Sequence, residues 1–316
     1  MAREDAGREM LPTVSDPRLD ALFRIGDTIW AERDDARAAF GSVRSWEFWR
    51  WLLWEGFHEY EQIRRLCVFP DAHLIHRVIG EVSSSEDYVR GGVIDASQVV
   101  HRLNEAGFDF TGGAVLDFGC GCGRTLQVLA RYAAQVSLYG ADVDADAIAW
   151  CHAQLQFAHA VLVPPDPPTA FGATRFDAVY AFSVFSHLPE GRHRRWLEEL
   201  HRITRPGAPI VLTVQGRRVI EEHVSGRRPW DFPTEETLRK DLPQIERDGF
   251  RFYPYGRQQF RDERNQRHFD QWDFESYGST FILESYIKTH WLDLFELEAL
   301  HEAPNDWQDY VVLRRR

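Results

Sequence analysis

The segment that most restricts what this chain can become is AVLDFGCGCGRTL, residues 114–126. An aspartate and three glycines at alternate positions follow an apolar run there and precede a stretch with helical spacing. Glycines at 119, 121 and 123 let the backbone turn sharply and stay bare, so a ligand can approach main-chain N–H groups with no Cβ in the way. A helix starting directly behind the turn adds a partial positive charge suited to a carboxylate or phosphate. In a parallel sheet, ligands bind beyond the C-terminal ends of the strands where strand order reverses, usually next to the first strand.

A glycine loop of this kind serves dinucleotide and other nucleotide-like binders, and spacing separates them. A dinucleotide fingerprint is G-x-G-x-x-G, and Arg124 stands where its third glycine would fall. Asp142, ending LYGAD, is placed to grip ribose hydroxyls, which either class of ligand would offer. The cysteines in the loop, Cys120 and Cys122, have only Cys67 and Cys151 as companions. No second Cys/His pair at finger-like spacing follows, and cysteines two apart rarely bridge, so reduced thiols and no metal are expected.

With acids exceeding bases by 49 to 37, for a net charge of −12, the chain lacks the basic footprint that nucleic-acid binding requires. The opening MAREDAGREM has no apolar core of a signal peptide, and no apolar run reaches the roughly 18 residues of a membrane span. A cytoplasmic protein with a small or neutral partner, and neither nucleic acid nor membrane, is the expectation. Oligomeric state is not legible. The Walker lysine loop, H-E-x-x-H and G-x-S-x-G motifs are absent, which removes ATPase, zincin and serine-hydrolase readings.

After Gly112-Gly113 short β-rich runs alternate with helical stretches, the rhythm of a parallel sheet covered on both faces. Strands are expected at 115–118, 136–142, 160–163, 178–183, 210–214, 294–297 and 310–313. Residues 216–280 break the rhythm with Pro229, Pro233, Pro243 and Pro254 and many aromatics, and read as an insertion over one end of the sheet. Upstream, a flexible arm to about Asp16 leads to a helical region. There Trp46, Trp49, Leu53, Phe57 and Tyr60 form an amphipathic stripe, and Trp51 and Trp54, off that stripe, need a second surface: another helix or a ligand.

Beyond the loop, VLDFGCGCGR (115–124), YGADVDADAI (139–148), RFDAVYAFSVFSHL (175–188), RITRPGAPIVLTVQG (202–216) and WQDYVVLRR (307–315) occur in an order and near a spacing that resembles the class I S-adenosylmethionine-dependent methyltransferases. The resemblance implies an α/β, Rossmann-like seven-stranded sheet in order 3-2-1-4-5-7-6, the last strand antiparallel, with helices on both faces. Residues 1–105 then become an arm and helical N-terminal cap, and 106–316 the methyltransferase domain with its 216–280 insertion. It also implies S-adenosyl-L-methionine as cofactor and methyl transfer to a small-molecule acceptor. Asp117, Phe118 and the loop Gly119, Cys120, Gly121, Cys122, Gly123 and Arg124 fall to its methionine part, Asp142 with Val143 to its ribose, and Ser183 beside the sulfonium. The stretch from Tyr88 to Gly107, including Gly92, is similar to a cofactor-capping segment in one bacterial branch. Many members carry an adenine-contacting acid after the third strand; here VLVPPDPPTAF offers only Asp166 among prolines.

Methyl transfer is an in-line displacement in which positioning supplies most of the acceleration, and a hydroxyl acceptor gains more from a general base than an amine does. His187, a helical turn past the fourth strand, has two possible uses: that base, or a histidine fixing the helix by hydrogen bonds. O-methylation is the preferred expectation over N-methylation, on His187 and the aromatic-rich cap. Tyr253, Tyr255, Tyr277 and the tryptophans at 46–54 are candidates to line the acceptor pocket, and Arg257 or Arg261 to meet an anionic acceptor, because residues 217–267 hold 12 Lys/Arg against 10 Asp/Glu. His268 and Asp270 with His290 or His301 mimic an iron-binding triad, a chemistry at odds with a βαβ rhythm. Two other functions stay open at this level: a nicotinamide-dependent oxidoreductase, opposed by Arg124, and a cofactor-binding partner protein without turnover.

Overall fold

The computed structural model describes residues 16–79, 84–227, 232–256, 276–304 and 307–316. The chain enters through six helices: α1 (Pro17–Glu32), α2 (Asp34–Phe40), α3 (Trp46–Glu59), α4 (Glu61–Leu66), α5 (Ala72–Ile79) and α6 (Ser85–Glu105). Asp16, the residue where the arm is expected to end, starts α1. Its carboxylate accepts from the N–H groups of Arg18 and Leu19, and Pro17 supplies a first position that needs no donor. Ser84 and Asp87 close a capping box that starts α6.

The stripe on α3 is buried at Phe48, Trp49, Leu52, Leu53 and Phe57. Trp51 and Trp54 find their second surface in neighbouring side chains: Trp51 lies against Phe48, Phe40 and the Arg33 guanidinium, and Arg90 of α6 covers Trp54. Trp46 stacks on Tyr132. The tryptophans at 46–54 are thus packing residues and line no part of the main cavity described below, which corrects their assignment to an acceptor wall.

Seven strands form the central sheet: β1 (Ala114–Phe118), β2 (Ser137–Asp142), β3 (Ala158–Leu162), β4 (Ala178–Ala181), β5 (Pro209–Val214), β8 (Phe295–His301) and β9 (Asp309–Arg315), in order β3-β2-β1-β4-β5-β9-β8. β1 to β5 pair in parallel, and β9 runs antiparallel between β5 and β8. This is the expected topology. Leu116 and Phe118 point into a core shared with Trp196, Leu197 and Leu200 of α9 (Glu190–Ile203). Val115 points the other way, against Val99 and Leu103 of α6, Leu126 and Leu129 of α7 (Arg124–Leu129), and Ile148 of α8 (Ala145–Gln154). This alternation at period two, apolar on both faces, is what a doubly covered parallel sheet demands.

β4 ends sooner than expected. The chain leaves the extended region after Ala181, and Ser183 adopts φ +60°, a left-handed conformation uncommon for a non-glycine residue. The interrupting stretch is ordered where described. It comprises α10 (Arg217–Val224), α11 (Glu235–Asp248) and a two-stranded antiparallel sheet of β6 (Phe250–Pro254) and β7 (Gly278–Ile282), around Val219, Ile220, Leu238, Ile245 and Phe281. α12 (Glu284–His290) then leads to β8. β7 docks on the segment after β4: the N–H groups of Gly278 and Thr280 donate to the carbonyls of His187 and Ser186 at 3.0 and 2.8 Å.

Candidate active site

A cavity of about 220 Å³ opens beyond the C-terminal ends of β1, β2 and β4. Of the expected site residues, Asp117, Phe118, Gly119, Cys120, Gly121, Cys122, Arg124, Asp142, Val143, Ser183 and His187 line it. Gly119, Gly121 and Gly123 all have positive φ. At Gly119, where φ is +81°, an added Cβ would stand 2.1 Å from Val184 Cγ2, so both the conformation and the space require glycine.

The loop uses its own donors more fully than expected. The N–H groups of Gly119 and Cys120 donate to the Ala141 carbonyl at 2.7 and 3.1 Å, that of Gly121 to Asp142 Oδ2 at 2.7 Å, and that of Gly123 to the Cys120 carbonyl at 2.8 Å. These bonds tie the loop to the end of β2 and fix its shape. What it offers a ligand at these positions is uncovered backbone surface, with the helix N-terminus behind it.

Two carboxylates define the polarity of the cavity. Asp117 is buried; Oδ2 accepts from Thr125 Oγ1 at 2.7 Å, and Oδ1 has no hydrogen-bond partner among the described residues. Burial raises its pKa to about 7 despite the Thr125 hydrogen bond. Asp142 takes the Gly121 N–H on Oδ2 and the Asp144 N–H on Oδ1 at 2.9 Å, and burial lifts its pKa to about 6. A buried carboxylate oxygen that lacks a partner, facing a cavity, fits a cationic ligand group. The cysteines are inert by comparison. Cys120 and Cys151 direct their thiols to the Gly121 carbonyl, and the Cys120 pKa is raised by the neighbouring Cys151 and by burial.

Tyr88 and Gly92 do not line the cavity; they brace the loop from behind. The Tyr88 hydroxyl donates to the Cys122 carbonyl at 3.0 Å, and Gly92 lets α6 pass so close that a Cβ would meet the Arg124 carbonyl at 2.9 Å. Gly123 is also outside the lining, packed near Leu155. Arg124 turns its guanidinium away from the loop to pair with Asp95 of α6 at 2.6 Å. Asp166 is held by Arg192 and Arg195 at 3.1 and 2.7 Å and is not a lining residue.

On the opposite wall, His187 is fixed on both sides. Its Nδ1–H donates to the Gly278 carbonyl at 2.8 Å, Nε2 lies 3.4 Å from Ser183 Oγ, and Tyr277 stacks on the ring at a centroid distance of 5.0 Å. Burial lowers its pKa from the ordinary histidine value. Tyr277 lines the cavity, Tyr255 sits 6.0 Å from the imidazole, and Tyr253 instead donates to Asp241 at 3.0 Å within the α10–α11 core. Arg257, Arg261, His268 and Asp270 lie outside the described residues. His290 stacks on Tyr286, and His301 meets Arg102. Among the described residues no group of three metal-ligating side chains occurs, and no helix is long and apolar enough to cross a membrane.

Sequence reading missed the contribution of α5, which brings Leu74, Arg77 and Val78 to the cavity, with Arg77 paired to Asp144 and Asp146 at 2.9 and 3.2 Å. The apolar pair at 74 and 78, four apart in AHLIHRVI, is the available signal. It also missed Val163, Leu188 and Trp196, which give the cavity an apolar side.

An open sheet with β9 reversed, a glycine turn after β1 and an acid ending β2 define a nucleotide-type binding site of the class I methyltransferase architecture. Residues 116–210 match a family model described as a methyltransferase domain. Solved structures similar to it include a protein of Pyrococcus horikoshii OT3 (15% identity, 79% of this chain and 100% of that one, TM-score 0.48). Magnesium protoporphyrin IX methyltransferase from Synechocystis PCC 6803 is 16% identical over 84% of this chain and 97% of that one, with TM-score 0.46. The N-methyltransferase NodS from Bradyrhizobium japonicum WM9 is 12% identical over 77% and 96%, with TM-score 0.43.

Proposed function

We propose that this enzyme methylates a hydroxyl oxygen of a small-molecule acceptor, with His187 as the general base. The observation that carries this reading is the Nδ1–H bond to the Gly278 carbonyl, which leaves the lone pair on Nε2, at the cavity wall. Depression of the His187 pKa by burial keeps the ring neutral, hence able to take a proton, at physiological pH.

S-adenosyl-L-methionine, when bound, supplies an electrophilic methyl group on a sulfonium centre. Asp117 would hold the cationic amino-acid end and Asp142 the ribose hydroxyls. The bare turn at 119–122 would let the methionine part lie close, and Val143, Val163 and Trp196 would offer the base an apolar surface. Ser183 and His187 would lie towards the methyl end. The acceptor enters under the 216–280 insertion, beside Tyr277 and Tyr255, with the N-terminal helical region bracing the loop from the other side.

The test is incubation of the full chain with methyl-labelled cofactor and an extract of small metabolites, followed by mass spectrometry of the labelled product. An O-methyl product whose formation falls at least about 100-fold in His187→Ala supports the reading. An N-methyl or C-methyl product, or one made equally well by His187→Ala, overturns it.

A further inference from the structure

A side chain that is not among the cavity-lining residues reaches Ser183, the neighbour of His187. Gln308, 8% exposed and just ahead of β9, donates from Nε2 to Ser183 Oγ at 2.8 Å and to Ser186 Oγ at 3.2 Å. It is not among the lining residues. Ser183 also donates its N–H to Thr213 Oγ1 at 2.7 Å and holds φ +60°. A left-handed, non-glycine residue at a cavity wall, tethered through both backbone and side chain, is strain retained for a geometric purpose.

The ring hydrogen can be assigned. Nδ1 of His187 donates to Gly278, so Nε2 accepts, and the Ser183 hydroxyl hydrogen has two acceptors in reach, His187 Nε2 at 3.4 Å and Ser186 Oγ at 3.3 Å. Gln308 occupies one lone pair of Ser183 Oγ. With the Ser183 hydrogen directed at Nε2, the second lone pair can take a hydrogen from Ser186 Oγ at 3.3 Å or from a hydroxyl entering the cavity.

We infer that Ser183 relays the acceptor's proton to His187 and that Gln308 is the positioning residue that sets Ser183 for it. This rests on the base role of His187 proposed above. In the step, the acceptor hydroxyl passes its proton to Ser183 Oγ as the Ser183 hydroxyl proton passes to His187 Nε2. The acceptor oxygen then bonds the methyl carbon while the carbon–sulfur bond breaks with its electron pair remaining on sulfur. Imidazolium remains, stabilised by the Gly278 carbonyl, and its proton is later lost to solvent. Tyr277 and Tyr255, from either side of the insertion's two strands, are the titratable groups facing the ring, and burial raises both pKa values, so they stay neutral.

The test is nitrogen NMR of the full chain with ¹⁵N-labelled histidine and S-adenosylhomocysteine added, comparing the parent with Ser183→Gly and Gln308→Leu. Glycine tolerates the backbone at 183, so that variant should keep its fold; thermal melting checks both. In the parent, the His187 ring should be neutral, protonated at Nδ1, with Nε2 hydrogen-bonded. Ser183→Gly should shift Nε2 to its unbonded position and raise the His187 titration midpoint, because a donor to the neutral form is gone. Gln308→Leu should move the same resonance in the same direction. Nε2 unmoved in either variant, with the Nδ1-protonated tautomer retained, overturns the relay and leaves the base role standing. A ring protonated at Nε2 overturns both.

Discussion

Arg124 Nη1 and Asp95 Oδ2 meet at 2.6 Å with less than a tenth of either side chain exposed, joining the first residue of α7 to the middle of α6 directly behind the glycine turn. Losing one partner leaves the other charge buried and uncompensated, at a cost of about 3–5 kcal/mol. Asp95→Ala should therefore lower the unfolding midpoint in urea sharply, and the double change Asp95→Leu with Arg124→Met should recover most of the loss. A double variant no more stable than the single one would show that the pair matters for something other than charge compensation.

Cofactor binding should release protons. Asp117, raised to about 7 by burial, is largely protonated where a free aspartate is ionised, and Asp142 is raised to about 6. A cation beside Asp117 favours the carboxylate, so affinity for S-adenosylmethionine should rise with pH and level off above about 7. Calorimetry near pH 6 in two buffers of different ionisation enthalpy should show the release. For the unliganded fold the sign is opposite: a raised carboxylate pKa gives stability that is lost as pH climbs through about 7. Asp117→Asn should weaken binding by about 10-fold or more while making unliganded stability less pH-dependent.

Gly119→Ala should impair both folding and binding. The new methyl meets Val184 Cγ2, and an L side chain at φ +81° costs about 1–3 kcal/mol of backbone strain. Circular dichroism melting and cofactor titration should move together. A variant with parental stability and affinity would mean that Val184 yields freely.

With cofactor saturating, so that Asp117 is already ionised, activity towards the acceptor should fall on the acid side through His187. With His187 depressed below the ordinary histidine range by burial, kcat/KM should reach its plateau before pH 6.5 is passed. The same depression means that protonating His187 destabilises the fold, so stability is lost as pH falls through that range. His187→Gln should abolish the acid limb and leave S-adenosylhomocysteine affinity nearly unchanged. A limb that persists in His187→Gln belongs to a different group.

The seven strands of the main sheet were legible because a doubly covered parallel sheet writes itself as apolar runs at regular spacing, their order because of the family resemblance, and the glycine loop because backbone shape at 119 tolerates so few alternatives. Asp142 was read from its position at a strand end, and Asp117 from the resemblance. The fate of the tryptophans did not. Trp51 and Trp54 needed a second surface, and an arginine from α1's end or from α6 serves that need as well as a ligand would; one helix read alone cannot choose. Tyr88 and Gly92 looked like ligand contacts but meet the loop from its far side, since a segment that shapes a loop and one that touches its ligand have the same composition. Gln308 was hidden for a different reason. Its partner Ser183 lies 125 positions away, and nothing in local periodicity links the two.

Because β9 runs against its neighbours, its leading end rather than its trailing end faces the ligand side of the sheet. Among the described residues β8 pairs in the sheet with β9 alone, and β9 must slot between two strands already laid down in the chain. Until that wedge seats, Ser183 lacks its glutamine tether and the cavity its finished wall. The ability to hold a nucleoside and the ability to turn it over should thus mature at different moments of folding, the first with β1 and β2, the second only with the closing strand.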